Sequence, residues 1–134
     1  MLILAILTMA LLFGGMVLYS FGFAAVLFAV LPPDVAGRTI RRAFPLFYLF
    51  VLSTAAVAAL LLWAFDPLAA GLLALLAATA LPTRQILMPA INRAADIRAK
   101  GRFKSLHALS VAITLVHIAL KESALARFVL DASA

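Results

Sequence analysis

One apolar stretch of the sequence carries five polar side chains at regular spacing. They are separated by three, four, three and four positions: His107, Ser110, Thr114, His117 and Lys121. In an α-helix this spacing places them on one stripe about 80° wide. An unsatisfied polar group in hydrocarbon costs several kcal/mol. We therefore expect the stripe to face the interior of a helix bundle, another subunit or a wet crevice.

Three interpretations of this stripe remain open. Its members can hydrogen-bond across helices and only hold them together, at about 0.6 kcal/mol per bond. They can instead form a relay or a binding track, because imidazoles titrate near neutrality and intramembrane ionisable residues often mark pathways. They can also lie at a subunit contact. If the helix continues beyond Leu120, His117 lies deep enough to need a partner, and we expect Tyr19 or Thr54.

A second polar group lies near the end of an earlier apolar stretch: Arg84, Gln85, Asn92, Arg93 and Asp96. Arg84 is roughly 10 Å of helix rise from that end, a distance that its long side chain can cover by snorkelling. Pro82 and Pro89 lack backbone donors, so nearby carbonyl groups are left for these side chains or for water. Because the following loop is short, we expect the last three residues of the group to meet His107 in a polar junction.

The residue types predict no catalytic, cofactor-binding or metal-binding site. The two histidines are ten residues apart, about 15 Å along a helix, so one ion or haem cannot take both from one chain. The sequence has no cysteine, which removes disulfides and thiolate metal sites. No serine lies in the glycine-flanked turn of a nucleophile elbow. We expect a protein that is not an enzyme and that holds no cofactor.

Composition indicates that these residues lie on membrane-spanning elements. The chain is 67% hydrophobic and 12% charged, whereas a soluble domain carries about 25% charged residues. The first 31 residues have no charged side chain, and a spanning helix needs about 20 apolar residues. The net charge of +6 does not indicate nucleic-acid binding, because the basic residues sit in short loops. The predicted partner is the lipid bilayer.

The apolar stretches predict an all-α fold, an antiparallel four-helix transmembrane bundle forming one domain over residues 1–134. The first stretch is too long for a signal peptide, so we expect a retained span. Prolines after the first stretch and Asp66-Pro67 after the second mark helix ends. The expected spans are residues 2–31, 44–65, 68–91 and 103–120, followed by a short interfacial tail over 121–134.

Basic residues predict the orientation. Those in the loops after the first and third spans outnumber Lys121 and Arg127 on the other side. Short basic loops stay in the cytoplasm, so both termini are expected outside, with the protein in a bacterial inner membrane. Small residues are expected at the helix contacts: Gly15 and Gly22 on the first span, and Ala70, Ala74 and Ala78 on the third.

Several short motifs carry a family resemblance: Gly37-Arg38, Phe44 to Tyr48, Leu87 to Arg93 with Asp96, and Phe103 with Leu106, His107 and Ser110. With these motifs the chain resembles domain of unknown function 4149, a small four-span family related to transmembrane protein 205. The resemblance covers roughly residues 8 to 120. It implies a membrane protein without an established reaction. The metal-drug handling of eukaryotic relatives does not carry over, because thiol ligands are lacking here.

Two functions follow as hypotheses. The favoured one is a structural or interaction protein of the membrane, such as an accessory subunit, in which the polar stripe joins helices. The alternative is a small ion or solute transporter or channel component. Because four helices enclose little room for a pore, such a component would act as an oligomer. The expected protein partners are therefore further copies of this chain or a larger membrane complex.

Overall fold

The computed structural model describes the backbone of residues 1–133, and the side chains of these except residues 2, 128 and 131–133. Four helical spans are long and apolar enough to cross a membrane: Ile3–Val30, Pro33–Leu62, Pro67–Asp96 and Lys100–Arg127. The described residues form no strand. The prediction of an all-α membrane protein with four spans is confirmed.

Two of the spans contain a wider π-helical segment. The first span consists of α1 (Leu2–Val17), a π-helical segment (Leu18–Phe23) and α2 (Ala24–Val30). The second is α3 (Pro33–Leu62). The third consists of α4 (Pro67–Pro82), a π-helical segment (Thr83–Leu87) and α5 (Met88–Asp96). The fourth is α6 (Lys100–Ser133).

The third span continues past both of its prolines. Its π-helical segment begins directly after Pro82, and Pro89 follows in the first turn of α5. A wider turn absorbs a local interruption of the regular hydrogen-bond ladder. The span therefore stays one helix across the two prolines.

The second helix begins earlier than the sequence indicated. We expected a loop up to Phe44, but α3 starts at Pro33. Proline is well suited to the first helical position because its missing N–H would have no partner there. Asp34 lies in the first turn, where a carboxylate favours the helix dipole, and pairs with Arg38 one turn later. The expected start at Phe44 is therefore wrong, and Arg41 lies on a helix.

The fourth helix ends later than the sequence indicated. We expected it to stop at Leu120 before a separate tail, but α6 continues through Ser133, and Ala134 lies outside the described residues. The expected end is wrong because the continuation packs on the bundle. Lys121 and Ala124 are fully buried, and Arg127 contacts Asp66.

The turn between the second and third spans is the hairpin expected from Asp66-Pro67. The Asp66 carboxylate Oδ1 accepts hydrogen bonds from the backbone N–H groups of Leu68 and Ala69, both at 3.1 Å. This is an N-cap, which satisfies amide groups that have no partner within the helix. Arg127 Nε donates to the other carboxylate oxygen at 3.3 Å. Asp66 therefore fixes both the start of α4 and the end of the fourth span.

The helices α3 and α4 pack extensively on each other and carry many buried small residues. Their buried alanines are Ala36, Ala55, Ala58, Ala59, Ala69, Ala70, Ala77 and Ala80. The expected ladder is wrong in part, because Ala74 and Ala78 are exposed. Gly15 allows a close approach, since a Cβ there would lie 2.5 Å from the Phe50 ring. A Cβ on Gly22 would meet only Leu18 of its own span.

Candidate functional site

A cavity of about 330 Å³ lies among all four spans, at the end of the bundle that holds α2 and α5. Most of its lining is apolar, including the rings of Phe28, Phe44 and Phe103. Its polar lining residues are Ser20, Arg41, Asn92, His107 and Ser110. We call this end the cavity end, and the opposite end, at Asp66, the closed end.

Both π-helical segments adjoin the cavity. Ser20 of the first segment lines it, and Met88, directly after the second segment, lines it from the third span. π-Helical turns occur frequently at functional sites. A wider turn changes the register of the side chains that follow it.

The expected polar junction forms only in part. Asn92 and His107 both line the cavity, whereas Arg93 is exposed and does not. Asp96 forms an ion pair and hydrogen bond with Arg41 of α3. We missed Arg41 in the sequence, because its segment was expected to be a loop. Arg41 lies four residues after Gly37, which places both on one helix face. This spacing is the sequence signal that could have assigned Arg41 to the site.

The other two residues of the second polar group stay outside the cavity. Arg84 is half-buried, and its Nε donates a hydrogen bond to the backbone carbonyl of Pro45 at 3.0 Å. This bond joins the third span to the second. Gln85 is exposed. Arg84 therefore connects helices directly, where the sequence indicated snorkelling or a polar cluster.

The polar stripe of the fourth span faces the bundle along most of its length. Ser110, His117 and Lys121 are buried and Thr114 is half-buried. His107 is exposed at the cavity and its ring stacks on Phe103 at 5.7 Å between centroids. The stripe thus begins in the cavity and runs towards the closed end.

Tyr48, like Arg41, is a polar residue near the site that the sequence pattern did not indicate. Its buried hydroxyl lies near the side chains of Ser110 and Thr114, although no hydrogen bond of good geometry forms with any described residue. Its ring contacts Phe44, which lines the cavity. Tyr48 therefore joins the cavity wall to the stripe.

His117 has a partner on the third span. Its Nε2 lies 2.8 Å from the hydroxyl of Thr79. The expected partners, Tyr19 and Thr54, are wrong. Thr54 donates to the backbone carbonyl of Phe50, while Tyr19 stacks on Phe47. For Thr54 the reason is the order of the helices, since α6 packs mainly on α4, α5 and α1 rather than on α3.

Comparison with known proteins identifies the family. A family model described as "Domain of unknown function (DUF4149)" matches residues 7–100, more than half of the chain. The chain belongs to this family. The match includes Ser20, Arg41 and Asn92 of the cavity, whereas His107 and Ser110 lie beyond it. The relation of this DUF4149 protein to transmembrane protein 205 stays a prediction. No curated protein and no solved structure matches the chain.

The closed end of this DUF4149 protein is packed differently. Lys121 is fully buried, with its Nζ 3.7 Å from the centroid of the Phe13 ring and 3.8 Å from a carboxylate oxygen of Glu122. Its ammonium has no hydrogen-bond partner among the described residues. Asp66 and Arg127 pair about 9 Å of helix rise further out. The cation is therefore held by a ring and by a carboxylate.

The cavity end of the DUF4149 protein is strongly basic. Its helix ends and connections carry only two carboxylates, Asp34 and Asp96. The basic residues there are Arg38, Arg41, Arg42, Arg93, Arg98, Lys100, Arg102 and Lys104. A cleft bordered by charge of one sign attracts ions of the other sign. The arrangement can therefore attract an anion and offer it hydrogen-bond donors beside an apolar wall.

Proposed function

We propose that this protein binds a small organic solute and handles it as a transporter or channel component, acting as an oligomer and without enzymatic chemistry. The cavity carries this proposal. Its volume of about 330 Å³ falls within the range of small-molecule sites, which are mostly apolar with a few converging polar groups. All four spans contribute lining residues, so a bound solute would contact the whole bundle.

The packing of the closed end supports the oligomeric part of the proposal. Met9, Leu12, Leu62, Leu73 and Leu76 are fully buried there. Side chains of this size fill the space between the helices, so a path across the membrane would run between copies of the chain or need a second conformation. The basic cavity end supports an orientation in which the cavity opens to the cytoplasm of a bacterium and both termini lie outside.

A structural role as an accessory subunit is the second candidate, and a different observation favours it. Only 11% of the apolar window of Lys100–Arg127 is buried within the chain, against 39% for Pro33–Leu62. The fourth span therefore presents a broad apolar face to lipid or to a neighbouring protein. In this case the contacts of His117 and Asp66 only hold the spans together.

Two glycine variants separate these functions. Gly37 lines the cavity and has open space where a side chain would begin. Gly14 has open space as well but does not line the cavity. Leucine at either position raises helix propensity by up to about 1 kcal/mol, so both variants should fold, and only Gly37→Leu should fill the cavity.

The experiment is a fluorine NMR screen of small aromatic solutes against the protein in phosphatidylcholine nanodiscs. We expect some solutes to bind to the wild type and to Gly14→Leu, and none of these to bind to Gly37→Leu. Equal binding to both variants, or no bound solute at all, would overturn solute handling through the cavity. Co-purification with a larger complex in mild detergent would then support the accessory role.

A further inference from the structure

We propose that the cavity takes an organic anion, a carboxylate on a small aromatic or alkyl body, and that Arg41 binds its carboxylate in place of Asp96. The inference rests on the proposed function, since it names the class of solute. Three observations support it: the exposed ion pair of Arg41, the hydrogen-bond donors that line the cavity, and the cavity volume.

Arg41 is positioned to change partners. It lines the cavity, whereas Asp96 does not, so the ion pair lies at the rim. The Asp96 carboxylate is 61% exposed, and exposed ion pairs contribute little stability. One guanidinium nitrogen of Arg41, Nη1, donates to Asp96, while a guanidinium offers five N–H donors in a planar fork. A ligand carboxylate can therefore replace Asp96 on Arg41 at little cost.

The wall opposite an anion supplies donors and no negative charge. Asn92 offers an amide and Ser110 a hydroxyl, and His107 has a ring nitrogen that can donate. None of the lining residues carries a carboxylate. A bound cation would thus meet Arg41 and no carboxylate in the lining, whereas a bound carboxylate would meet a guanidinium and hydrogen-bond donors. The basic helix ends add a field of the same sign.

The size and surface of the cavity limit the rest of the molecule. A water-sized group occupies about 30 Å³, so 330 Å³ has room for a molecule of about ten non-hydrogen atoms. Phe28, Phe44 and Phe103 line the space together with Ile91 and Met88. Aromatic rings pack favourably in offset or edge contacts with other rings. A benzoate-sized carboxylate fits both limits.

Three probes of one shape and different charge test the inference: 4-fluorobenzoate, 4-fluorobenzyl alcohol and 4-fluorobenzylamine. Their binding is measured by fluorine NMR with the protein in phosphatidylcholine nanodiscs, whose lipid carries no net charge. We expect the benzoate to bind about ten-fold more tightly than the alcohol, because it gains a charge-assisted hydrogen bond. The amine should bind most weakly.

Matched variants assign the preference to Arg41. Arg41→Gln should abolish the difference between benzoate and alcohol. Arg38→Gln is the control, since Arg38 lies one turn earlier on α3 and pairs with an exposed aspartate, Asp34, away from the cavity. It should leave the order of the probes unchanged. Asp96→Asn should strengthen benzoate binding by about three-fold, because the competing carboxylate is removed.

The outcomes separate this inference from the proposed function. If Gly37→Leu abolishes binding but the wild type binds all three probes equally, the cavity is a solute site and the anion inference is wrong. The same conclusion follows if Arg41→Gln and Arg38→Gln have equal effects on the order of the probes. If Gly37→Leu binds the probes like Gly14→Leu, the cavity is not the site and the proposed function falls with the inference.

Discussion

Polar side chains are paired with one another towards one end of the bundle and border a cavity at the other end. Outside the cavity end, His117 contacts Thr79 at 2.8 Å in the middle of the bundle and Asp66 contacts Arg127 at 3.3 Å at the closed end, so polar groups of the third and fourth spans meet directly. At the cavity end, Asn92 and His107 border an open volume of about 330 Å³. The polar stripe of the fourth span extends over both ends. Regular spacing along one helix therefore does not imply one role.

The backbone explains part of this difference. The π-helical segments Leu18–Phe23 and Thr83–Leu87 both adjoin the cavity, while the closed end is built from regular α-helix. Regular helices with alanine at the contact pack closely, as α3 and α4 do. A wider turn changes the register of the side chains that follow it. The cavity lies where two spans have such a turn.

The largest difference between the ends should follow from shortening a buried aliphatic side chain. Leu73 is fully buried towards the closed end. Leu73→Ala therefore leaves a new cavity and should lower the free energy of unfolding by about 3 kcal/mol. Ile91 borders the existing cavity, and Ile91→Ala should cost about half as much, roughly 1.5 kcal/mol. Unfolding by SDS titration in mixed micelles measures both values, and equal losses would contradict the comparison.

The next largest effect is expected at Asp66. Asp66→Ala removes the two hydrogen bonds that cap α4 and the contact with Arg127, and should cost about 2 kcal/mol of unfolding free energy. Asp66→Asn should keep most of the stability, since asparagine is an equally good N-cap.

Asp34→Ala is the control for Asp66. Asp34 lies in the first turn of α3 at the cavity end, and its pair with Arg38 is exposed. The loss should stay below about 0.5 kcal/mol, by the same SDS titration. A loss at Asp34 as large as that at Asp66 would show that the two ends depend equally on the carboxylates at their helix starts.

The predictability of the molecule differs between its ends as well. Long apolar runs and the Asp66-Pro67 turn were sufficient to predict four spans and their hairpin. The helical start at Pro33 was missed because residues 34–43 carry four charged side chains and follow two prolines, a pattern that resembles a loop. With that start misplaced, Arg41 was not a candidate for the site. Local composition describes the middle of a span better than its end.

Partners between helices were less predictable than positions on one helix. The inward direction of Ser110 and His117 follows from spacing alone. The choice of Thr79 over Thr54 depends on which spans are neighbours and on their relative height, and spacing carries neither. Tyr48 was missed for the same reason, because its hydroxyl gains a role only beside the fourth span. The cavity itself is formed by side chains of all four spans, so the spacing along one helix does not predict it.

A smaller effect should separate hydrogen bonding from packing at His117. Thr79→Val keeps the shape of the side chain but leaves the buried imidazole without its partner, and should cost about 1–2 kcal/mol. The double variant Thr79→Val with His117→Leu replaces both partners by apolar groups and should recover most of the loss. A double variant as unstable as the sum of the two single variants would mean that the pair contributes little as a hydrogen bond.

Lys121 gives the smallest and the most informative effect, because it is the exception at the closed end. Its ammonium is buried, donates no hydrogen bond to the described residues and lies over the Phe13 ring. Replacing a buried charge by an apolar side chain of similar volume is often neutral or stabilising. We expect Lys121→Met to raise the unfolding free energy by up to about 1 kcal/mol. Glu122 is the exposed neighbour of Lys121, and Glu122→Gln should change the unfolding free energy by less than about 0.5 kcal/mol. If Lys121→Met instead lowers stability by more than about 2 kcal/mol, the ring and carboxylate contacts outweigh the cost of burial, and the closed end is held by its charges as well as by its packing.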